Sequence, residues 1–368
     1  MKFTCSRDLL AEGLNIVQKA IPGKSNLPVL ECVLIDVSED LVLTGSDTEI
    51  SINYQVSAII EEIGSVAVPA KVFADIVRKL PDIWVTVETS ENNSYLIISS
   101  GNFKLDLQTF SAEQYPKVNF GIESNDTVCL SKNNFKNLVK QTAFAASTDS
   151  TRMILRGVLI ENKGGFLKFV AIDGFRLAIK SLESSYENEF RIVVPARVLN
   201  EVSKIIEKGD DNISLSFNDN QIMFSNNSFK LVSSLLKGEF ADYERMVPTD
   251  FNTVMNISTF NFSNSLDRVS VVLDDDKKWP IVLKTYPDEL FISVAGEKGN
   301  TNEVLNVEIS GQDIEIYFNE KNLYECLKAI DSEKVTVSFT SQKGPCLITS
   351  EEDNSFMIVV MPVKPKVR

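Results

Sequence analysis

The 368-residue sequence contains no histidine. That absence removes the commonest general base, the usual partner of a nucleophilic serine or cysteine, and the commonest metal ligand. Chemistry resting on carboxylates alone stays open. Cysteine is sparse as well: Cys5, Cys32, Cys129, Cys326 and Cys346 are scattered, odd in number and form no CxxC pair. Zinc sites and a disulfide framework are therefore disfavoured, and small buried core residues are the ordinary reading. No apolar run approaches the roughly 18 residues of a membrane span. Residues 1–5 lack a signal-peptide core and read as a first strand. The expectation is a cytoplasmic protein with no membrane partner, no metal and no cofactor.

What is present is repetition. The length points to more than one domain, and 43% hydrophobic with 24% charged residues is a globular balance. Val68-Pro69-Ala70-Lys71 recurs as Val194-Pro195-Ala196-Arg197, and Asn102-Phe103-Lys104-Leu105 as Ser228-Phe229-Lys230-Leu231, both 126 positions later. Asp47 and Asp173 share a strand-end setting at the same offset. Windows 70–81, 196–207 and 320–331 then align as three amphipathic helices. Their apolar faces are Val72, Phe73, Ile76 and Leu80; Val198, Leu199, Val202 and Ile206; and Leu323, Cys326 and Ile330, with Asn322 interrupting the third.

Alternating strands follow each helix, as in Val85-Thr86-Val87, Ile213-Ser214-Leu215 and Val335-Thr336-Val337, which marks antiparallel sheets with one wet face. Each repeat is expected to open with a helix (6–20, 131–143, 258–270) whose first serine is the N-cap. Pro280 belongs at a strand start or edge. The fold class is α+β, three tandem copies of one unit, with domains over 1–123, 127–248 and 251–368.

The formal net charge of −14 opposes general adhesion to nucleic acid. Its placement says otherwise, because the six helical windows together are net positive. Lys71, Arg197 and Lys321 align, and so do Arg78, Lys204 and Lys328; the rows lie two helical turns apart on one face. Asp75, Glu201 and Glu325 form an acidic row four residues after the first basic one, where i,i+4 pairing is possible. One such helix would be an ordinary wet face. Three matched copies point to a shared surface that meets phosphates without reading bases.

A threefold α+β repeat of this kind resembles the bacterial sliding clamp family, the beta subunits of DNA polymerase III. The resemblance spans the chain through Leu27-Pro28-Val29-Leu30, Leu43-Thr44-Gly45-Ser46-Asp47, Ala171-Ile172-Asp173-Gly174-Phe175-Arg176-Leu177-Ala178, Phe240-Ala241-Asp242-Tyr243 and Val359-Val360-Met361-Pro362-Val363. It implies a ring-forming, head-to-tail homodimer of six DNA-clamp domains around double-stranded DNA, non-catalytic and held by topology. Implied partners are the DNA polymerase III alpha subunit, the clamp loader and other clamp-motif proteins, including repair factors, at replication forks on the nucleoid.

Carried over by position, the DNA contacts are Lys24, Lys71 and Arg197, and the second basic row adds Arg78 and Lys204. Asp149, Met153 and Ile154 stand where relatives place polar or aromatic DNA-facing residues. The implied peptide cleft comprises Leu155, Ile172, Gly174, Phe175, Arg176, Leu177, Ala241, Arg245, Met246, Pro345, Val359, Val360, Met361, Pro362 and Val363, an apolar slot with adaptable methionines and two arginines on its rim. Ile172, Phe175 and Ala241 depart from the commoner residues there, and Lys364-Pro365-Lys366-Val367-Arg368 extends past the usual end. The dimer interface is expected at Lys104, Leu105 and Leu107 on an edge strand, against Val271 and Val272.

Two other readings bear weighing. Asp274-Asp275-Asp276 is the candidate for a carboxylate site holding Mg²⁺, although Lys277-Lys278 directly after it reads as a solvated loop. A protein-binding scaffold without DNA is the other, and the matched basic rows argue against it.

Overall fold

The computed structural model of the chain describes residues 1–122, 127–149, 151–206, 212–273, 279–296 and 298–364. Repeat one runs β1 (Lys2–Ser6), α1 (Arg7–Val17), β2 (Cys32–Val37), β3 (Leu41–Ser46), β4 (Ile50–Val56), β5 (Ala58–Glu62), β6 (Gly64–Pro69), α2 (Ala70–Arg78), β7 (Trp84–Thr89), β8 (Tyr95–Ser100), β9 (Phe103–Gln108) and β10 (Phe110–Ser111). Repeat two runs β11 (Thr127–Ser131), α3 (Lys132–Lys140), β12 (Gly157–Lys163), β13 (Phe166–Ile172), β14 (Arg176–Glu183), β15 (Phe190–Pro195), α4 (Ala196–Ile205), β16 (Asn212–Phe217), β17 (Gln221–Ser225) and β18 (Phe229–Ser234). Repeat three runs β19 (Thr253–Ser258), α5 (Thr259–Ser270), β20 (Pro280–Tyr286), β21 (Glu289–Gly296), β22 (Gly299–Asn306), β23 (Glu308–Gly311), β24 (Glu315–Asn319), α6 (Glu320–Lys328), β25 (Lys334–Phe339), β26 (Cys346–Thr349) and β27 (Phe356–Val360). Pro280 is the first residue of its strand.

Every strand pairing is antiparallel, and the sheets do not respect the repeats. One nine-stranded sheet has the order β10-β6-β2-β3-β4-β18-β17-β16-β11, and another β15-β12-β13-β14-β27-β26-β25-β19-β23. Repeats one and two meet in the first where β4 pairs with β18, Tyr54 opposite Phe229. Repeats two and three meet in the second where β14 pairs with β27, Lys180 opposite Phe356. Lys180 is the counterpart of Tyr54, so the two junctions share a register. The remaining sheets are shorter: five strands, β5-β1-β7-β8-β9, and four, β22-β21-β20-β24.

Compact units follow the sheets. One comprises Met1–Phe135 with Glu201–Leu235, the other Lys136–Asn200 with Leu236–Arg368, so the division runs through repeat two. Within the first, Leu10, Leu14 and Val17 of α1 and Phe73 and Val77 of α2 are buried with Phe3, Val85 and Val87 of the sheet. Within the second, Phe262, Leu266 and Val269 of α5 and Leu323, Cys326 and Leu327 of α6 are buried likewise.

Three expectations need correction. Each repeat opens on a strand (β1, β11, β19), and the serine closing that strand precedes the helix. Ser131 Oγ accepts from Asn134 N at 3.2 Å and Ser258 Oγ from Asn261 N at 3.4 Å, whereas Ser6 makes no side-chain cap. The backbone N–H of Arg7 instead donates to Ile83 O at 2.7 Å, so tertiary structure takes over part of the cap's work. Val72 is exposed, and α2 turns Phe73, Ala74 and Val77 inward. In the second window all four expected positions are buried, Val198, Leu199 and Val202 in α4 and Ile206 just past its end.

Gly45, inside one of the family-like segments, explains its own presence. A Cβ there would lie 2.3 Å from Val17 O, a backbone atom at the end of α1. Gly45→Ala is expected to lift α1 from β3 and cost about 1–3 kcal/mol, read as a lower urea midpoint at unchanged m-value; an unchanged midpoint would mean that α1 does not need this close approach.

Candidate functional site

The basic rows occupy exposed helical positions. Lys71, Arg197 and Lys321 are exposed, as are Arg78, Lys204 and Lys328, and Lys24 is exposed on the loop after α1. Among the described residues no member of the acidic row is paired with the first basic row, where i,i+4 pairing is possible. Asp75 holds Arg78, and Glu201 holds Lys204 at 2.9 Å, both i,i+3 to the second row, while Lys19 adds a bond to Glu201 at 3.2 Å. The two lysine bonds outweigh the burial of Glu201 and keep its carboxyl below the usual carboxylate range. Glu325 breaks the pattern, as described below.

Positions 149 and 153–154 are not arranged alike. Asp149 is exposed and accepts from Thr151 N at 2.9 Å. Met153 is exposed, but Ile154 packs against the apolar cluster formed by Leu155, Leu159, Val170, Ile172, Leu177, Ile179, Val193, Phe240, Tyr243 and Val359. Four expected cleft residues, Leu155, Ile172, Leu177 and Val359, thus form part of one buried floor. Val360 is buried in β27, and Ala241, Pro345, Pro362 and Val363 are half-buried. Phe175 (57% exposed), Met246, Met361 and Arg245 remain open to solvent.

Two devices fix the segments that carry these exposed residues. Asp173 Oδ1 accepts from the backbone N–H of Phe175 (2.8 Å) and Arg176 (2.9 Å), a tight turn whose middle residue, Gly174, has φ +93°. The terminal segment is tied at both ends, Met361 N donating to Phe175 O at 2.7 Å and Val363 N to Tyr317 O at 2.8 Å. On the other side, the Tyr243 hydroxyl donates to the buried carboxylate of Glu161, anchoring the short 3-10 turn that carries Arg245 and Met246. Burial and that carboxylate together push the Tyr243 phenol up.

Arg176 does not belong on the rim. Its side chain is 8% exposed: Nε donates to Asp173 Oδ2 at 3.0 Å, Nη2 to Phe144 O at 2.8 Å, and the guanidinium lies 5.2 Å from the Phe144 ring centroid. Nη1 sits 2.6 Å from Glu325 Oε2 of α6, in ion-pair range but off the hydrogen-bonding direction. A buried cation takes the partners at hand. Of the two expected rim arginines only Arg245 is exposed, paired with Asp242 at 2.9 Å.

The same scaffold occurs at the other junction with different residues. Asp47 Oδ1 accepts from Glu49 N and Ile50 N, Thr48 has φ +76°, and Ser234 N donates to Glu49 O. Glu49 and Ser234, both exposed, therefore hold the places of Phe175 and Met361. The fold does not require an apolar surface at these positions.

Residues 1–119, 129–242 and 244–364 match the N-terminal, central and C-terminal domains of the DNA polymerase III beta subunit. The chain belongs to that family. A beta sliding clamp of Streptococcus pneumoniae is 32% identical over 375 residues, covering 98% of this chain and 99% of the relative. The crystal structure of the Bacillus subtilis DNA polymerase sliding clamp superposes with a TM-score of 0.94 at 29% identity, covering all of both chains. A sliding clamp from Pseudomonas aeruginosa bound to griselimycin superposes at 0.92 with 27% identity and 99% of both chains.

Lys104, Leu105 and Leu107 lie on β9, a strand that among the described residues is paired only with β8. Leu105 and Leu107 are half-buried and Lys104 exposed. Val271, just past α5, is 77% exposed, and Val272 half-buried. Among the described residues no cluster of three or more acidic or cysteine side chains is suited to a metal. Asp274-Asp275-Asp276, Lys277-Lys278 and the tail beyond Lys364 lie outside the described residues. The buried thiols are inert, burial pushing Cys32 up to about 11 and Cys5 up to about 12.

Tyr243→Phe leaves the buried Glu161 carboxylate short of a strong donor and is expected to cost about 1.5–3 kcal/mol. Urea unfolding checks this, and a midpoint equal to the parent's would mean that Arg191, 3.8 Å from Glu161, suffices alone.

Proposed function

We propose that the chain is a DNA sliding clamp: two copies close head to tail around duplex DNA, tether the replicative polymerase, and receive partner peptides in the cleft built on β14 and β27. The three modules are 1–123, 127–248 and 251–368, the role is non-catalytic, and the place of action is the cytoplasmic replication fork. No described helix is long and apolar enough to cross a membrane.

The observation that carries this reading is an unmatched pair of strand edges. β9, β18 and β27 are counterparts, and β18 and β27 each join a neighbouring repeat. Phe229 and Phe356 are accordingly 2% and 5% exposed, whereas Phe103 of β9 is 39% exposed. β22, counterpart of β4 and β14, is also an edge. Long open edges invite pairing, and each end of the chain lacks what the other offers. A contact of this kind is heterologous and closes only if the rotation permits. Closure after two copies is the family's arrangement.

The register of the seam follows from the hairpins. Phe166 pairs with Glu183 in β13–β14 and Glu289 with Asn306 in β21–β22, which makes Glu303 the counterpart of Lys180. By the rule of the other junctions Phe103 faces Glu303 of the second copy, and Leu105 faces Thr301. Leu105→Cys with Thr301→Cys should therefore form an intermolecular disulfide under mild oxidation, one that a Lys104→Cys and Thr301→Cys pair does not match in yield. Val271→Glu with Val272→Glu should give monomers by sedimentation at low micromolar concentration, since like charges at a buried seam cost several kcal/mol, on the order of 3–5.

For DNA, Lys71 and Arg197, with Lys24, supply sequence-independent phosphate attraction, to which Arg78 and Lys204 add less because Asp75 and Glu201 pair with them. After loading, the protein should stay on nicked circular DNA and run off linear DNA with free ends. Equal retention on both would sink the clamp and favour a scaffold without DNA.

For the cleft, Phe175→Glu with Met361→Ser installs the residues that the other junction carries. Loss of two apolar anchors is expected to weaken binding of griselimycin, used as the probe, by about 10–100-fold, with the thermal midpoint unchanged. Undiminished binding would remove the cleft from this face.

A further inference from the structure

In repeats one and two the acidic-row residue neutralises the basic residue one turn on, Asp75 with Arg78 and Glu201 with Lys204. In repeat three Glu325 is drawn to the buried Arg176 instead, 2.6 Å from Nη1. Lys328 has no carboxylate in ion-pair range among the described residues; it lies over the Tyr324 ring, 4.4 Å from its centroid, with Tyr324 as its nearest partner and Asp267 of α5 acting on it only at longer range. Lys321 and Lys328 are both exposed, two turns apart on α6.

We propose that Arg176 is a positioning residue for DNA as well as for the cleft: by holding Glu325 it leaves Lys328 unmasked as a phosphate contact. The proposal rests on the clamp reading. Arg176 starts β14, shapes the Asp173–Arg176 turn beneath Phe175, and reaches Phe144 O and α6 with the rest of its guanidinium. One buried side chain thus ties the peptide cleft to a helix of the basic rows. With Arg176 removed, Glu325 regains the i,i+3 geometry that Asp75 and Glu201 use, and Lys328 becomes a masked cation like Arg78 and Lys204.

The test is binding of the full-length dimer to a fluorescein-labelled duplex by anisotropy across a salt series. Each phosphate contact contributes about 0.9 to the slope of log affinity against log salt. Lys328→Ala should lower the slope by about one, and Arg176→Gln should do the same. Arg176→Gln with Glu325→Gln should restore the parental slope, because no carboxylate remains to mask Lys328. A structural defect alone would not be rescued by a second loss.

Should Arg176→Gln fail to fold, Lys328→Ala and Glu325→Gln decide the matter without it. The parental slope in Glu325→Gln supports the proposal, and a rise of about one overturns it by showing that Glu325 already masks Lys328. A parent that binds duplex without salt dependence would defeat the clamp reading. A salt-dependent parent unaffected by Lys328→Ala would defeat only the role given to Arg176.

Discussion

A strand edge is a row of backbone donors and acceptors that must be paired or defended, and the architecture of this chain follows from that constraint. Each repeat contributes two small sheets, neither complete by itself. Where repeats adjoin, β4 meets β18 and β14 meets β27 in the same register, making two nine-stranded sheets. The pairing that joins neighbours leaves β9 and β22 open. One interaction thus accounts for why the compact units cut across the repeats and why Phe103 is exposed where Phe229 and Phe356 are not.

Charge follows a different economy. With a net charge of −14 the chain repels polyanions as a whole, so the proposed role on DNA requires attraction that is local, for which the exposed helical rows are the candidates. The intrahelical pairs of Asp75 and Glu201 moderate that attraction, since an exposed pair of this type is worth little in stability, about 0–1 kcal/mol. Moderation suits a protein retained by topology: contacts weak enough to exchange along the backbone permit movement, and phosphates offer the same partner at every step.

Much of this is legible in the sequence, because repetition multiplies weak signals. The 126-residue offset aligns helices, strands and cations from residue identity alone, and Val198, Leu199 and Val202 of α4, with Ile206 just past it, are buried as the periodicity requires. Val72 misleads because α2 turns Phe73, Ala74 and Val77 to the core and leaves Val72 facing solvent. Ser6 misleads because a tertiary hydrogen bond from Arg7 takes over part of the cap's work. Arg176 is buried where a rim position is expected, which residue type does not reveal, because its partners Phe144 and Glu325 adjoin it only through long-range packing. The open edge at β22 leaves little trace in its polar, alternating sequence. It emerges only when sheet order is compared among repeats.

The comparison among repeats also separates what the fold demands from what function adds. Both junctions carry the same aspartate turn, a positive-φ residue in its middle, and a backbone bond from the following segment to the turn. At one the exposed positions are Glu49 and Ser234; at the other they are Phe175 and Met361. Since the charged and polar pair satisfies the same backbone geometry, packing cannot explain the apolar one. Exposing a phenylalanine and a methionine on segments that run directly into the buried residues Ile172, Leu177 and Val359 is unfavourable unless something apolar covers them for part of the time. Methionine adapts to partners of different shape, whereas the turn beneath is clasped by Asp173 and Arg176. A clasped turn carrying adaptable side chains suits the peptide binding proposed for this face, and the unadorned junction in the same chain is the internal control.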